Sequence, residues 1–142
     1  MELKTKTFDR LSTGELYDIL AARCAVFIVE QNCPYQDIDG TDRDAVHIWL
    51  EDEGKIKAYL RVFEKDAATA QIGRVITLDR GKGFGRTVLK EGITACRETL
   101  GKSRIYLEAQ CYATGFYEKE GFVCFGEEFL EDDIPHIRMI KE

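Results

Sequence analysis

The chain has 142 residues, 44% hydrophobic and 32% charged, which is the composition of a globular domain and excludes a disordered or fibrous one. Its longest apolar run, Ala25 to Val29, is too short for a membrane span, and the opening MELKTKTFDR lacks the apolar core of a secretory signal. The formal net charge of −6 argues against general nucleic-acid binding, and five cysteines without a C-x-x-C pair, beside two histidines, give no zinc spacing; a metal-free cytoplasmic protein with reduced thiols is expected.

KTKTF near the start reads as a first strand. LSTGELYDILAARCAVFIVEQ reads as a helix, because Ser12 and Glu15 have capping-box spacing and Leu16, Ile19, Leu20, Cys24 and Phe27 recur on one face. The polar segment NCPYQDIDGTDRDA, with Pro34 and Gly40, reads as a loop. VHIWLEDEGKIKAYLRVFE predicts two strands around a turn at Glu53-Gly54. In the second, Ile56, Ala58, Leu60 and Val62 alternate with Lys57, Tyr59 and Arg61, as in a half-buried strand. ATAQIGRVITL is the fourth strand. From Gly83, the spacing of Phe84, Val88, Leu89, Gly92, Ile93, Cys96 and Leu100 predicts a helix of about four turns. SRIYLEAQ is a strand, ATGFYEKE a short helix ended by Gly121, and FVCFGEEF and PHIRMIK are closing strands. The order is that of one α/β unit over residues 1–142, without linker or repeat. The helix between the fourth and fifth strands implies that these two run parallel.

DRGKGFGRTVLKEG, residues 79–92, carries the chemistry. Arg80, Lys82, Arg86 and Lys90 fall in eleven residues without an acid, so the rest of the chain holds about −10, the −6 of the whole less these four positive charges. A helix start leaves four amides unpaired and partly positive, and glycines ahead of it let an oxyanion approach the main chain. A phosphate or pyrophosphate is the natural guest. The Walker pattern fails, since Gly101-Lys102-Ser103 has Cys96 where the leading glycine belongs. G-x-G-x-x-G fails at Arg86 and at Val88.

Arg80-Gly81-Lys82-Gly83-Phe84-Gly85 does fit R/Q-x-x-G-x-G/A, and it resembles the pyrophosphate loop of the GNAT acetyltransferases. AQCYATGFYEKEGF, residues 109–122, resembles the second hallmark of that superfamily, a strand entering a short helix with F-Y-x-x-x-G-F. RCAVFIVEQNCPYQDIDGTDRDAVHI and FLEDDIPHIRM resemble its ElaA-type branch, so the likeness covers nearly the whole chain. One feature departs from the pattern. Only ITLD separates Val75 from Arg80, where relatives usually carry a longer connection, often with proline.

The resemblance implies a single acetyltransferase domain whose twisted mixed sheet of six to seven strands has helices on both faces and is splayed between strands four and five. It implies acetyl-coenzyme A as donor, an amine as acceptor, direct transfer and no metal. The amides of Gly81 to Gly85 (Gly81, Lys82, Gly83, Phe84 and Gly85) and of the next turn would hold the pyrophosphate, with Arg80, Lys82 and Arg86 supplying charge. Val75, Ile76 and Thr77 would pair with the pantetheine arm. Tyr117 stands where many relatives keep a tyrosine general acid; a phenol of pKa about 10 stays protonated at neutral pH and can donate to a leaving thiolate. Its alternative is a core tyrosine beside Phe116. For the base, His136 competes with Glu108 and Glu30, and either role competes with a structural one. His47 reads as structural.

Glu30, Gln31, Gln110 and His136 are the expected acceptor pocket, since Tyr106, Glu108 and Gln110 share one strand face opposite Ile105, Leu107 and Ala109. Acids from Glu127 to Asp133 would attract a cationic amine or form a solvated turn. Cys111 reads as packing. A small-molecule acceptor is expected, with no nucleic-acid or membrane partner, and edge strands would suit a homodimer. The rival readings are a coenzyme A-binding module without transfer and an unrelated phosphate binder sharing only the loop.

Overall fold

The computed structural model describes residues 1–142. Seven strands form one sheet in the order β1-β2-β3-β4-β5-β7-β6. They are β1 (Glu2–Thr7), β2 (Val46–Asp52), β3 (Lys55–Glu64), β4 (Thr69–Thr77), β5 (Arg104–Gln110), β6 (Val123–Glu131) and β7 (Ile134–Lys141), with helices α1 (Thr13–Arg23), α2 (Phe84–Glu98) and α3 (Thr114–Glu118). Every neighbouring pair is antiparallel except β4 and β5, the pair that α2 connects. The expected mixed sheet is therefore present. No helix is long and apolar enough to cross a membrane.

Turn chemistry sets the hairpins. Glu53 and Gly54 both have positive φ, 51° and 75°, the requirement of a type I′ turn between β2 and β3. Asp132 and Asp133, with φ 51° and 63°, turn the chain between β6 and β7. At the start of α1 the capping box forms in full, Ser12 N–H donating to Glu15 Oε1 at 2.9 Å and Glu15 N–H to Ser12 Oγ at 3.0 Å. The α-helix then ends at Arg23. Residues Cys24–Glu30 continue as a π-wound segment, with Gln31 N–H bonding to Val26 O and Cys33 N–H to Ile28 O at 3.1 Å. That widening turns Cys24 out to solvent, so the single apolar face expected through Cys24 and Phe27 is broken.

Two clusters flank the sheet. Ile48, Leu60, Val62 and Ile72 pack with Val88, Leu89 and Cys96 of α2 on one face. Ile19 of α1 and Val26 pack with Trp49, Tyr59 and Ile76 on the other. Each such buried aliphatic side chain contributes about 1.5–3 kcal/mol. β3 is accordingly buried on both faces, Tyr59 and Arg61 included, and is not the half-exposed strand that its alternation suggests. Strand order explains this, since β3 lies in mid-sheet between α1 and α2.

β4 carries the feature that shapes the site. Tyr59 pairs with Ile76 and Arg61 with Gly73, so two steps on β3 match three on β4, an extra residue around Arg74, whose φ is +54°. The bulge inverts side-chain parity. Ile72 faces α2, whereas Ile76 faces α1. β4 pairs with β5 only from Thr69–Arg104 to Gln71–Tyr106, and past that point the two strands part.

Candidate active site

The parting strands open onto two clefts. The first, about 550 Å³, is lined by Val26, Val75, Ile76, Thr77, the glycines at 81, 83 and 85, and Phe116 of α3. Its floor is the loop from Asp79 to the first turn of α2. Asp79, Gly81 and Gly83 have φ of +54°, +90° and +80°, so left-handed residues alternate through the loop, the backbone pattern of anion-binding nests. No main-chain N–H from Arg80 to Arg86 donates to a carbonyl; the first to do so is that of Thr87, to Gly83 O at 3.2 Å. Seven consecutive unpaired donors at a helix start form a ready anion cradle. A Cβ on Gly83 would meet nothing within 4 Å, so the cradle is open on the ligand side. These residues fit a diphosphate.

The second cleft, about 480 Å³, lies on the α1 face and shares Phe27, Gln31, Val75, Tyr112, Ala113 and Tyr117 with the first. Tyr117 is buried and stacks edge-on against Phe116 and Phe122. The only sealed side-chain nitrogen or oxygen without a partner is Arg61 Nε. The Tyr117 hydroxyl, which has no acceptor within the chain, therefore opens to the clefts. Burial pushes its pKa up, and the neighbouring Tyr112 pushes the same way, so it stays protonated through neutral pH.

His136 of β7 lies opposite Gln110 of β5 and Phe129 of β6, whose ring it stacks on at 5.8 Å. Its Nδ1 is 2.7 Å from the carbonyl of Ile134, which can only accept; Nδ1 carries the proton and Nε2 is the basic nitrogen. Nε2 stands 3.4 Å from Glu131 Oε2. Burial raises the Glu131 pKa and Glu108 raises it further, two carboxyl groups facing one cleft. Glu108 accepts from the Tyr106 hydroxyl at 2.7 Å.

The wall opposite is a closed ring of ions. Arg23 bonds Asp37 and Asp42, Arg61 bonds Asp42 and Asp39, and Arg74 bonds Asp39 and Asp37. Arg74 reaches its partners because the bulge turns it toward Tyr35, over whose ring it lies at 5.6 Å. Burying one such charge alone would cost several kcal/mol, so the three arginines fix the polar segment 35–42 in place. The ring is neutral, which leaves Glu108, Glu131 and Asp132 as the excess charge of the cleft.

Most of the expected residues converge. Val75, Ile76, Thr77, Arg80, Gly81, Gly83, Gly85 and Arg86 line the first cleft, and Gln31, Gln110 and His136 the second; Gln110 Nε2–H points to Gln31 Oε1 at 3.4 Å. Four depart. Glu30 does not line the second cleft: it pairs with Arg80 at 2.7 Å, because the π-wound turn ends beside the loop. Lys82 is exposed and Phe84 packs on the core, and neither lines the first cleft. Arg86 donates to Phe116 O at 2.8 Å and to Glu120 at 3.1 Å, which ties α3 to α2.

His47 is structural, wholly buried between the Tyr59 hydroxyl and the Asp42 carbonyl. Cys111 Sγ–H donates to Glu128 at 3.1 Å and lines neither cleft. The sequence reading does not find the ion ring; Glu131, one of the acids it offers as an attractor of a cationic amine, does stand beside His136. The acid-rich run DIDGTD is the only sequence signal of the ring.

A mixed sheet opened between one parallel pair, with an amide cradle at the opening, defines an acyltransferase type of fold. Residues 15–142 match the family model described as an acetyltransferase (GNAT) domain. The protein ElaA of Escherichia coli (strain K12) is 42% identical over 140 residues, covering 93% of this chain and 90% of that protein. Its crystal structure superposes with a TM-score of 0.94 at 38% identity, covering both chains in full. An acyl-CoA N-acyltransferase from Pseudomonas aeruginosa gives 0.93 at 35% identity, again over both full chains. The chain belongs to the GNAT acetyltransferase family, among the ElaA-like proteins.

Proposed function

We propose that this protein moves an acetyl group from acetyl-coenzyme A directly to the primary amine of a small acceptor in the cytoplasm. The observation carrying this reading is the meeting of the two clefts at Val75 and Tyr117, one floored by unpaired amides and the other walled by carboxylates and a histidine. The coenzyme supplies an activated thioester. The amides of residues 80–86 hold the diphosphate, each charge-assisted bond contributing about 1.5–3 kcal/mol, and Arg80 exchanges Glu30 for it. Beyond Gln71 the β5-facing edge of β4 is unpaired, so Val75, Ile76 and Thr77 offer main-chain groups to the pantetheine arm, and an N–H there polarises the carbonyl.

Tyr117 holds a proton at its hydroxyl for the departing sulfur. His136 takes the proton of the acceptor ammonium at Nε2, with Nδ1–H pinned on Ile134, while Glu108 and Glu131 draw the cation in. A cleft of about 480 Å³ suits a small molecule. Thiol release with a panel of amines tests the reading. Tyr117→Phe lowers kcat roughly a hundredfold while coenzyme A affinity stays put. Failure of every amine to raise turnover above thioester hydrolysis supports instead a coenzyme-binding module without transfer.

A further inference from the structure

Tyr112 is the most exposed of the large apolar side chains, at 81%. Its hydroxyl makes no hydrogen bond within the chain, and its ring stacks on no other ring and lies under no cation. A single exposed aromatic is ordinary on a protein surface. The position of this one is not, because it is among the six residues that line both clefts. The other five, Phe27, Gln31, Val75, Ala113 and Tyr117, are all buried or half-buried.

The backbone under Tyr112 is held while the side chain is loose. The residue sits in the single turn Cys111–Ala113 that joins β5 to α3. Cys111 Sγ–H donates to Glu128 at 3.1 Å, Thr114 Oγ1–H donates to Cys111 O at 3.4 Å, and Ala113 packs on the core. Past the Gln71–Tyr106 pair β4 and β5 separate, so Val75, Ile76 and Thr77 line the first cleft from the β4 side and Tyr112 from the end of β5. Tyr112 also comes near both ends of that span. After the bond from Glu30 it raises the Arg80 pKa, and after burial it raises that of Tyr117. Arg80 belongs to the diphosphate end of the cleft and Tyr117 to its junction with the second. The β4 edge covers one side of whatever links those two points and leaves the other side to water.

Resting on the transferase reading above, we propose that Tyr112 is a coenzyme-contact residue, whose ring folds onto the pantetheine arm across from Val75–Thr77 and shields the thioester end from water. Tyrosine suits the task, since its ring offers a large contact area and has only two rotatable bonds to fix on closing.

Fluorine NMR of protein made with 3-fluorotyrosine tests this, reading the six tyrosines separately, with Tyr112→Phe assigning the signal. In the unliganded protein the Tyr112 signal should move between H2O and D2O as that of an exposed ring does. Tyr17, 75% exposed and outside both clefts, is the control. Saturating coenzyme A is expected to remove most of the solvent shift at Tyr112 and none of it at Tyr17. ADP, which ends at the diphosphate, is expected to leave both exposed. Tyr112→Ala should keep the wild-type melting temperature, since the ring has no partner within the chain, and should bind coenzyme A roughly threefold to tenfold more weakly, as for one aromatic contact. Tyr112→Phe, which keeps the ring, should recover most of that loss. A Tyr112 solvent shift unchanged in the coenzyme complex, equal protection by ADP, or full affinity in Tyr112→Ala overturns the contact and leaves the transferase standing. Absence of any coenzyme binding in a calorimeter overturns both.

Discussion

Single side chains in the ion ring set how the protein responds to acid. Burial alone would raise the Asp42 pKa, but the bonds from Arg23 and Arg61 outweigh it and hold the carboxyl below its ordinary value. Arg61 likewise holds Asp39 well below its ordinary value. A carboxyl depressed on folding contributes stability above its unfolded pKa of about 4, and that stability is lost as pH falls through the folded value. His47 acts earlier. Burial lowers its pKa, so the unfolded chain takes up a proton below about 6.5 where the folded one does not, and stability drops from there. Urea unfolding against pH is expected to show a shallow loss below about 6.5 and a steep one below about 4. Asp42→Asn, which leaves two buried guanidiniums short of a partner, costs about 3 kcal/mol at pH 7. The deficit narrows as pH falls through the depressed folded value, where the wild-type carboxyl protonates as well. A deficit independent of pH would remove Asp42 from the acid response.

At the scale of elements, the site depends on how closely α2 starts against β4. A Cβ on Gly85 would lie 2.5 Å from Thr77 Oγ1 and 3.4 Å from the Phe116 ring, so the first turn of α2 tolerates nothing larger than hydrogen. Gly85→Ala should destabilise the fold by about 1–3 kcal/mol in urea and weaken coenzyme binding as the loop shifts. Adding Thr77→Ala should recover much of the loss; no recovery would mean that the crowding is not between these two residues.

This contact was not legible in the sequence, although the elements making it were. Period and punctuation marked α2, β5 and α3, and the spacing around Gly81 to Gly85 and around Phe116-Tyr117 marked the loop and the proposed acid. The bulge at Arg74 left no such mark. A left-handed arginine has no distinctive spacing, and its cause is a ring of partners up to 37 residues away. Glu30 was misplaced for a related reason, since a π-wound turn and an α-turn have the same sequence but aim the next side chain differently.

Across the whole molecule, the parity inversion in β4 lets one strand serve two clefts on two sides of the sheet. Before Arg74 its odd positions, Gln71 and Gly73, line the second cleft; after it, Val75 and Thr77 turn toward α2 and the amide cradle. The acidic surplus lines one cleft and the cradle the other, so on the proposed function a polyanionic donor and a cationic amine have separate approaches. The central claim is that the loop at residues 80–86 binds the coenzyme diphosphate through its main chain. A calorimetric titration of coenzyme A into the wild-type protein and into Gly83→Val tests this most directly. Valine at φ +80° is strained and projects into the open side of the cradle. The account predicts one site in the wild type and an affinity at least roughly tenfold weaker in the folded variant, from the loss of one or more charged amide bonds; equal affinities for the two would contradict it.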